Sequence, residues 1–348
     1  MDVIKIIFPT LLTFFIGLSI TPFLTKYFYQ YKMWKKSPRI EADTSEAFNG
    51  IHNTESEMST PRVGGVIIWV SVFITVCIIY LFSIFSDSEI AEKLNFFSRS
   101  QTVVPLGVFF FAALVGLSDD LLQIFGKGTY ARDSLVYRKV KIVFVTLIGL
   151  AISLWFYYKL DFTTVHLPFN GELELGLLFI PFFIIVMLAT FSTSVIDGLD
   201  GLAGGVLASS FVAFAVIAFV NNQVDISALS GAIAGAILAF LWFNVPPARF
   251  YMGESGALSL TVVLAVLAFL TDSVLLLPII AFPLVVTSLS VIIQITSFRF
   301  FNKRRVFRVT PLHHHFQAIG WSRERIVMRY WIVSVVFAFI GVILALVS

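Results

Sequence analysis

A helix needs about 20 apolar residues to cross a bilayer, and about ten stretches of this chain approach or reach that length. They lie near residues 4–25, 63–84, 102–118, 140–158, 175–193, 201–220, 227–243, 255–270, 273–296 and 328–347. Hydrocarbon offers a backbone no hydrogen-bond partner, so spans of this kind must be helices. The long stretch 255–296 is interrupted by Thr271, Asp272 and Ser273, and reads as two helices joined by a tight turn. With 58% apolar and only 13% charged residues among 348, the chain carries more apolar surface than a soluble domain uses. The expectation is an all-α integral membrane protein over 1–348, one polytopic bundle of about ten transmembrane helices. The first run has no small-residue cleavage site and reads as a retained helix. A lone Cys77 excludes a disulfide within the chain and any thiol metal centre.

Orientation follows from the cations. With the N-terminus outside, only Lys5, Lys93, Arg99 and Lys159 of the 24 Lys and Arg residues fall on the outer face. Both termini are then outside, and the polar loops carrying the chemistry are cytoplasmic. The net charge of +3 is small and matters less than its distribution, and no nucleic-acid partner is expected. Ser37–Ser59 reads as a polar, mobile segment.

Four polar signals fall on that inner face. GLSDDLL places Asp119 and Asp120 side by side at the end of the third helix, where two carboxylates need a shared cation or proton. SVIDGLDGLAGG, from Ser194 to Gly205, spaces Asp197 and Asp200 three apart, on one face of a helix, among glycines that admit a close ligand. YMGESGAL sets Glu254 between two glycines at the start of a helix. PLHHHFQAIGW, Pro311 to Trp321, gathers His313, His314 and His315 beside Arg304, Arg305, Arg308 and Arg323. A neutral imidazole binds metal and a charged one binds phosphate. Acids from three separate segments opposite a His/Arg-rich loop suit a magnesium–diphosphate site, because Mg²⁺ takes one or two carboxylates plus phosphate oxygens. Phosphoryl transfer needs mainly positioning and charge neutralisation. Acids at helix ends, rather than in mid-bilayer, argue against an ion-conducting path.

The series TPRVGG, GLSDDLL, DGLDGLAGG, MGESGAL and PLHHHFQAIGW resembles the polyprenyl-phosphate N-acetylhexosamine-1-phosphate transferase superfamily over nearly the whole chain. The three-histidine loop followed by F-x-x-x-G-W is similar to that of its bacterial phospho-N-acetylmuramoyl-pentapeptide transferase branch. The resemblance implies Mg²⁺ dependence and two substrates, UDP-N-acetylmuramoyl-pentapeptide and undecaprenyl phosphate, which yield lipid I and UMP in the bacterial inner membrane. It also implies a homodimer. A UDP-N-acetylglucosamine donor is the alternative. By position, Asp119 and Asp120 correspond to the aspartate pair, with Asp119 the base, and Asp197 joins the metal and nucleotide site. Asp200 lies toward the uridine, and His313, His314 and His315 hold the donor. Asp119, Asp197 and Glu254 are the implied metal ligands. Thr60, Pro61, Gly64 and Gly65 match a structural loop motif. Four positions depart from the pattern. Phe191 and Ser194 stand where asparagines are usual, and Ser194 is retained as a donor contact. Gln123 stands for a lysine, with Lys127 its candidate replacement. Glu254 stands for an aspartate. The basic residue closing that loop is Arg138, Lys139 or Lys141.

Overall fold

The computed structural model describes residues 2–34, 58–86, 88–98, 101–126 and 134–348. Among them, ten helices are long and apolar enough to span a membrane. In chain order the helices are α1 (Asp2–Gln30), α2 (Gly65–Phe85), the short α3 (Glu89–Leu94), α4 (Val103–Phe125), α5 (Ser134–Lys159), α6 (Phe179–Ser192), α7 (Leu202–Val220), α8 (Val224–Asn244), α9 (Gly253–Leu270), the one-turn α10 (Leu277–Ile280), α11 (Phe282–Phe300), the short α12 (Leu312–Ala318) and α13 (Arg323–Val347).

The helix α9 is the axis of the bundle. Leu258, Leu260 and the whole run Val262–Ala268 are closed off from the surface. It packs along α4, while α8 packs against α1 and α7, and α7 against α13. A lipid-embedded interface gains little from apolar contact alone, so small residues let backbones approach. Gly231 and Gly235 of α8 lie against Thr10 of α1, and Gly65 of α2 lies against Gly256 of α9. Hydroxyl pairs add ties, with Thr13 donating to Thr75 at 2.9 Å between α1 and α2. At the C-terminal end of α9, Phe269 stacks on Phe183 at 4.2 Å and meets Phe179 and Phe156 edge-on. This aromatic knot binds α5 and α6 to the axis.

The bundle has two chemically different ends. Lys5 pairs with Asp225 at the start of α8, and Asn221 donates to the Thr271 carbonyl. Ser348 lines a pocket with His166 and Asp272. Both described chain ends therefore lie at the end opposite Asp119, Asp120 and Glu254.

Three local readings are corrected. The protein is not wholly α-helical, because Thr164–Leu167 (β1) pairs antiparallel with Gly171–Glu174 (β2). The alternation in TVHL and GELE, split by Pro168–Asn170, carries that hairpin. The stretch 273–296 does not begin a span at 273. A 3₁₀ turn and α10 precede α11, whose Pro283 occupies a first-turn position where its missing N–H costs nothing. The helix α4 runs to Phe125, so Asp119 and Asp120 are inside a continuous helix rather than at its end. Of the expected segment Ser37–Ser59, residues 37–57 lie outside the described residues.

Candidate active site

The N-terminus of α9 organises the site. Its first amides have no partner within the helix. Asp120, only 1% exposed and reaching across from α4, supplies one. Asp120 Oδ1 accepts the Glu254 N–H at 3.0 Å, and Oδ2 accepts the Ser255 N–H at 2.9 Å. A carboxylate there also faces the positive end of the helix dipole. The approach is close because Gly116, one turn earlier on α4, abuts the Glu254–Ser255 backbone. Gly253 has φ +69°, and a Cβ on it would collide with the Arg62 carbonyl. Pro61, Gly64 and Gly65 pin this corner: Tyr251 N–H donates to the Pro61 carbonyl, and the Gly64 and Gly65 amides donate to Tyr251 and Met252. Thr60 is buried alongside. The TPRVGG motif is therefore the strap that holds the turn before α9.

Asp119 faces a different partner. Lys141, 9% exposed and supplied by α5, lies 3.8 Å from Asp119 Oδ2 and donates to Glu254 Oε1 at 2.5 Å. One ammonium thus neutralises two acids, which answers the cost of burying them. Gln123 Nε2 donates to Asp119 at 3.4 Å. Glu254 Oε2 is buried without a hydrogen-bond partner. Of the three cations offered by sequence, Lys141 is the one engaged here; Lys139 is exposed, and the Arg138 side chain and Lys127 lie outside what is described.

Asp197 and Asp200 do not share a helical face. Asp197 closes a 3₁₀ turn, its N–H donating to the Ser194 carbonyl at 3.2 Å, and α7 begins only after Gly201 at φ +78°. A run of four glycines and two aspartates in nine residues favours turns over helix. Burial pushes the Asp197 carboxyl up to about 6, against the opposing pull of the Arg62 guanidinium, with Glu254 adding to the rise and the Gly253 amide to the fall. Asp197 is therefore in the field of both Arg62 and Glu254. Asp200 Oδ2 accepts the Ala248 N–H at 3.2 Å, and burial raises its pKa while Arg323 lowers it. The Gly201 amide donates to Asn244 Oδ1, and Trp331 Nε1 donates to the Gly201 carbonyl. Asp200 thus belongs to the scaffold that fixes the 197–201 turn.

The histidines form the short helix α12, and the three rings have different surroundings. His313 is fully buried against Gly198, where a Cβ would meet its ring. Neither of its nitrogens has a hydrogen-bond partner, and burial first, then His314, holds its pKa well below 6.5. His314 packs edge-on to His313 at 4.3 Å, with Nδ1 2.7 Å from Gln317 Oε1. His315 Nδ1 accepts the Arg308 N–H at 3.2 Å, and its pKa is lowered by burial and by Arg308. The His313 and His314 rings thus pack against Gly198, the residue that follows Asp197.

Comparison with known proteins fixes the family. The sequence pattern of glycosyl transferase family 4 matches residues 102–272. The chain is 35% identical over 341 residues to the phospho-N-acetylmuramoyl-pentapeptide-transferase of Anoxybacillus flavithermus, covering 97% of each chain. It is 32% identical over 346 residues to that of Caldanaerobacter subterraneus, covering 97% of this chain and 98% of the relative. The chain belongs to the phospho-N-acetylmuramoyl-pentapeptide-transferase family. The glycosyl transferase match includes Asp119, Asp120, Asp197, Asp200 and Glu254, and excludes Arg62 and α12.

Two cations beside these acids are not singled out by the sequence: Arg62 lies within TPRVGG, where it reads only as part of a structural loop, and Lys141 is one of three candidates. Of the departures from the family pattern, Gln123 still reaches Asp119, and Phe191 is buried. Among the described residues, no three acid or histidine side chains are grouped to hold a metal ion. One observation does fit a hard cation: Glu254 Oε2 is an orphaned buried carboxylate acceptor, the oxygen type that Mg²⁺ takes one or two of alongside phosphate oxygens.

The buried, neutral His313 makes stability depend on pH in one direction. Its folded pKa lies below the unfolded 6.5, so the unfolded chain binds a proton that the folded chain refuses. Stability from this group is complete above pH 6.5 and falls by about 1.4 kcal/mol per unit as the pH drops below it. His313→Leu is expected to flatten that slope in chemical unfolding between about pH 6.5 and 5. An equal slope in both proteins would show that His313 accepts a proton in place.

Proposed function

We propose that the chain transfers phospho-N-acetylmuramoyl-pentapeptide from UDP to undecaprenyl phosphate, giving lipid I and UMP, as a single polytopic domain of the bacterial cytoplasmic membrane. The carrying observation is convergence: Asp119, Asp197, Glu254, Arg62 and Lys141 come from five separate segments of a chain that aligns over 97% of its length with this family. The distribution of cations supports a cytoplasmic site, with both chain ends on the other side of the membrane.

In the reaction a lipid-phosphate oxygen bonds to the β-phosphorus of the donor, the bridging P–O bond breaks, and UMP departs with the bond pair. A phosphate with a second pKa near ~6 is largely deprotonated at neutral pH, so Asp119 has only the remaining proton to hold. Asp119, Asp197 and Glu254 are the residues that would hold Mg²⁺, and the chemistry it would supply is charge neutralisation of the diphosphate. Arg62 and Lys141 are the cations within reach of the same acids, so they position and balance charge as it moves between phosphates. Asp120 acts one step back by fixing the start of α9. The packing of His314 on the Gly198 turn beside Asp197 supports a role for α12 in holding the donor.

The test offers UDP-N-acetylmuramoyl-pentapeptide and UDP-N-acetylglucosamine in parallel to the purified protein with undecaprenyl phosphate. Turnover with the first donor, lost to a chelator and restored by Mg²⁺, is the expected result. Turnover with the second alone would overturn the donor assignment. His314→Ala is expected to lose at least about tenfold in kcat/KM with normal expression, a scale typical of a positioned polar group. Wild-type turnover would remove α12 from the site.

A further inference from the structure

The sequence groups Arg304 and Arg305 with the histidine loop, but among the described residues neither pairs with an acid of the site; both stand at the far end of α11, where Ser297 holds the Arg304 carbonyl and Arg305 lies over Phe298. Between Asp272 and Glu324 the chain contains no acidic residue. Within that stretch Arg299, Lys303, Arg304 and Arg305 are all exposed, and none of the four forms an ion pair among the described residues. Apolar side chains stand among them: Phe300 is 73% exposed and Phe301 64%. Further back, Ile292, Ile293 and Ile295 are also exposed along α11.

The chain after α11 does not leave this tip. Asn302 and Lys303 reverse its direction. Ser297 Oγ then donates to the Arg304 carbonyl at 3.0 Å, and Gln294 Oε1 accepts the Val306 and Phe307 amides, each at 3.0 Å. The return strand is thereby pinned along the last two turns of α11. Cations from both arms of the reversal are concentrated at one place. That place is the end of a helix long and apolar enough to span, which is where cations and aromatic rings meet lipid head groups in membrane proteins. Amphipathic interleaving of this kind, with Arg and Lys over exposed aromatics, is the chemistry of an anionic membrane surface.

We infer that the α11 tip, built from Arg299, Phe300, Phe301, Lys303, Arg304 and Arg305, is a docking surface for the phosphodiester head groups of anionic phospholipids in the surrounding leaflet. Guanidinium groups hold phosphate oxygens bidentately, while the two phenyl rings enter the acyl region. The bound lipid anchors the end of α11 in its leaflet.

Native mass spectrometry of the full chain tests this, with dioleoylphosphatidylglycerol and dioleoylphosphatidylcholine as probes. The phosphatidylglycerol is expected to bind at least about tenfold more tightly. Replacing all four cations by Gln is expected to remove that preference. Arg304→Gln with Arg305→Gln, a milder change on exposed positions, is expected to cost about fivefold per charge. Undecaprenyl phosphate, the other source of a lipid phosphate, is titrated into the same variants and is expected to bind as it does to the parent. Equal affinity for the two phospholipids would overturn the inference. So would an unaltered preference in either variant, or loss of undecaprenyl phosphate binding in place of phosphatidylglycerol. If the variants aggregate, the parent protein decides alone. Raising ionic strength from about 0.1 to about 1 M shortens the screening length to about 3 Å and should abolish the preference; its persistence would rule out a charge-based surface.

Discussion

Asp120→Asn is expected to release no UMP from the nucleotide donor and to unfold at a lower temperature than the parent protein. Both effects come from one geometry. Each carboxylate oxygen of Asp120 accepts a backbone amide at the start of α9. An asparagine keeps one acceptor and turns an NH₂ toward the other N–H, so two donors face each other in a site 1% exposed. Leaving a buried donor unsatisfied costs about 1–3 kcal/mol, and losing the negative charge at a helix N-terminus costs up to about 2 kcal/mol more. The first turn of α9 must then shift, and Glu254 shifts with it. Asp119→Asn is the control. It removes a carboxylate from the same pair without touching the α9 backbone, so it should lose turnover with a much smaller drop in melting temperature. UMP release measured by chromatography, paired with thermal unfolding in detergent, separates the two. Equal melting temperatures for Asp120→Asn and the parent would show that the cap is dispensable, and undiminished UMP release would remove Asp120 from the machinery.

How much of this was legible follows from what each feature depends on. The spans were, because hydrocarbon fixes helix length and leaves the backbone no other choice. The acidic motifs were also legible as chemistry, since adjacent carboxylates in apolar surroundings demand an explanation. Their division of labour was not. Asp119 and Asp120 are neighbours in sequence, yet one serves a lysine and the other a helix end. The partners of Asp120 lie 134 and 135 residues away, and no local pattern reports such a pairing. Asp197 and Asp200 misled for a related reason: a three-residue spacing implies a shared face only where the chain is helical, and the glycines around them hold a turn instead. The same limit hid Arg62, which sits in TPRVGG and reads as part of a structural loop until the fold brings it into the field of Asp197 and Asp120. The His triplet reads as a single surface in one dimension. A helix advances 100° per residue, so consecutive side chains point to different partners.

Lys141→Met is expected to be the most damaging single change outside the aspartates, and its repair by a second change distinguishes charge balance from chemistry. Lys141 lies within 3.8 Å of Asp119 and bonds Glu254, with side chains 5% and 18% exposed respectively. Methionine fills much of the volume and removes the charge, leaving two buried acids facing each other. Breaking a buried ion pair by removing one partner costs about 3–5 kcal/mol. Turnover should vanish, and the metal-free protein should unfold several degrees earlier. Adding Glu254→Gln removes one of the two stranded charges. Much of the lost stability should return in the double variant, because neutralising an unpaired buried acid relieves the main penalty. Turnover should not return, because the site would then lack both a cation beside the acids and the carboxylate at the head of α9. Stability and rate would thus respond in opposite ways to the same second substitution. If the double variant is no more stable than Lys141→Met alone, then Lys141 holds the bundle by packing and not by balancing Glu254. If it regains turnover, neither group takes part in the transfer, and the charges that handle the diphosphate must be sought among Arg62 and α12.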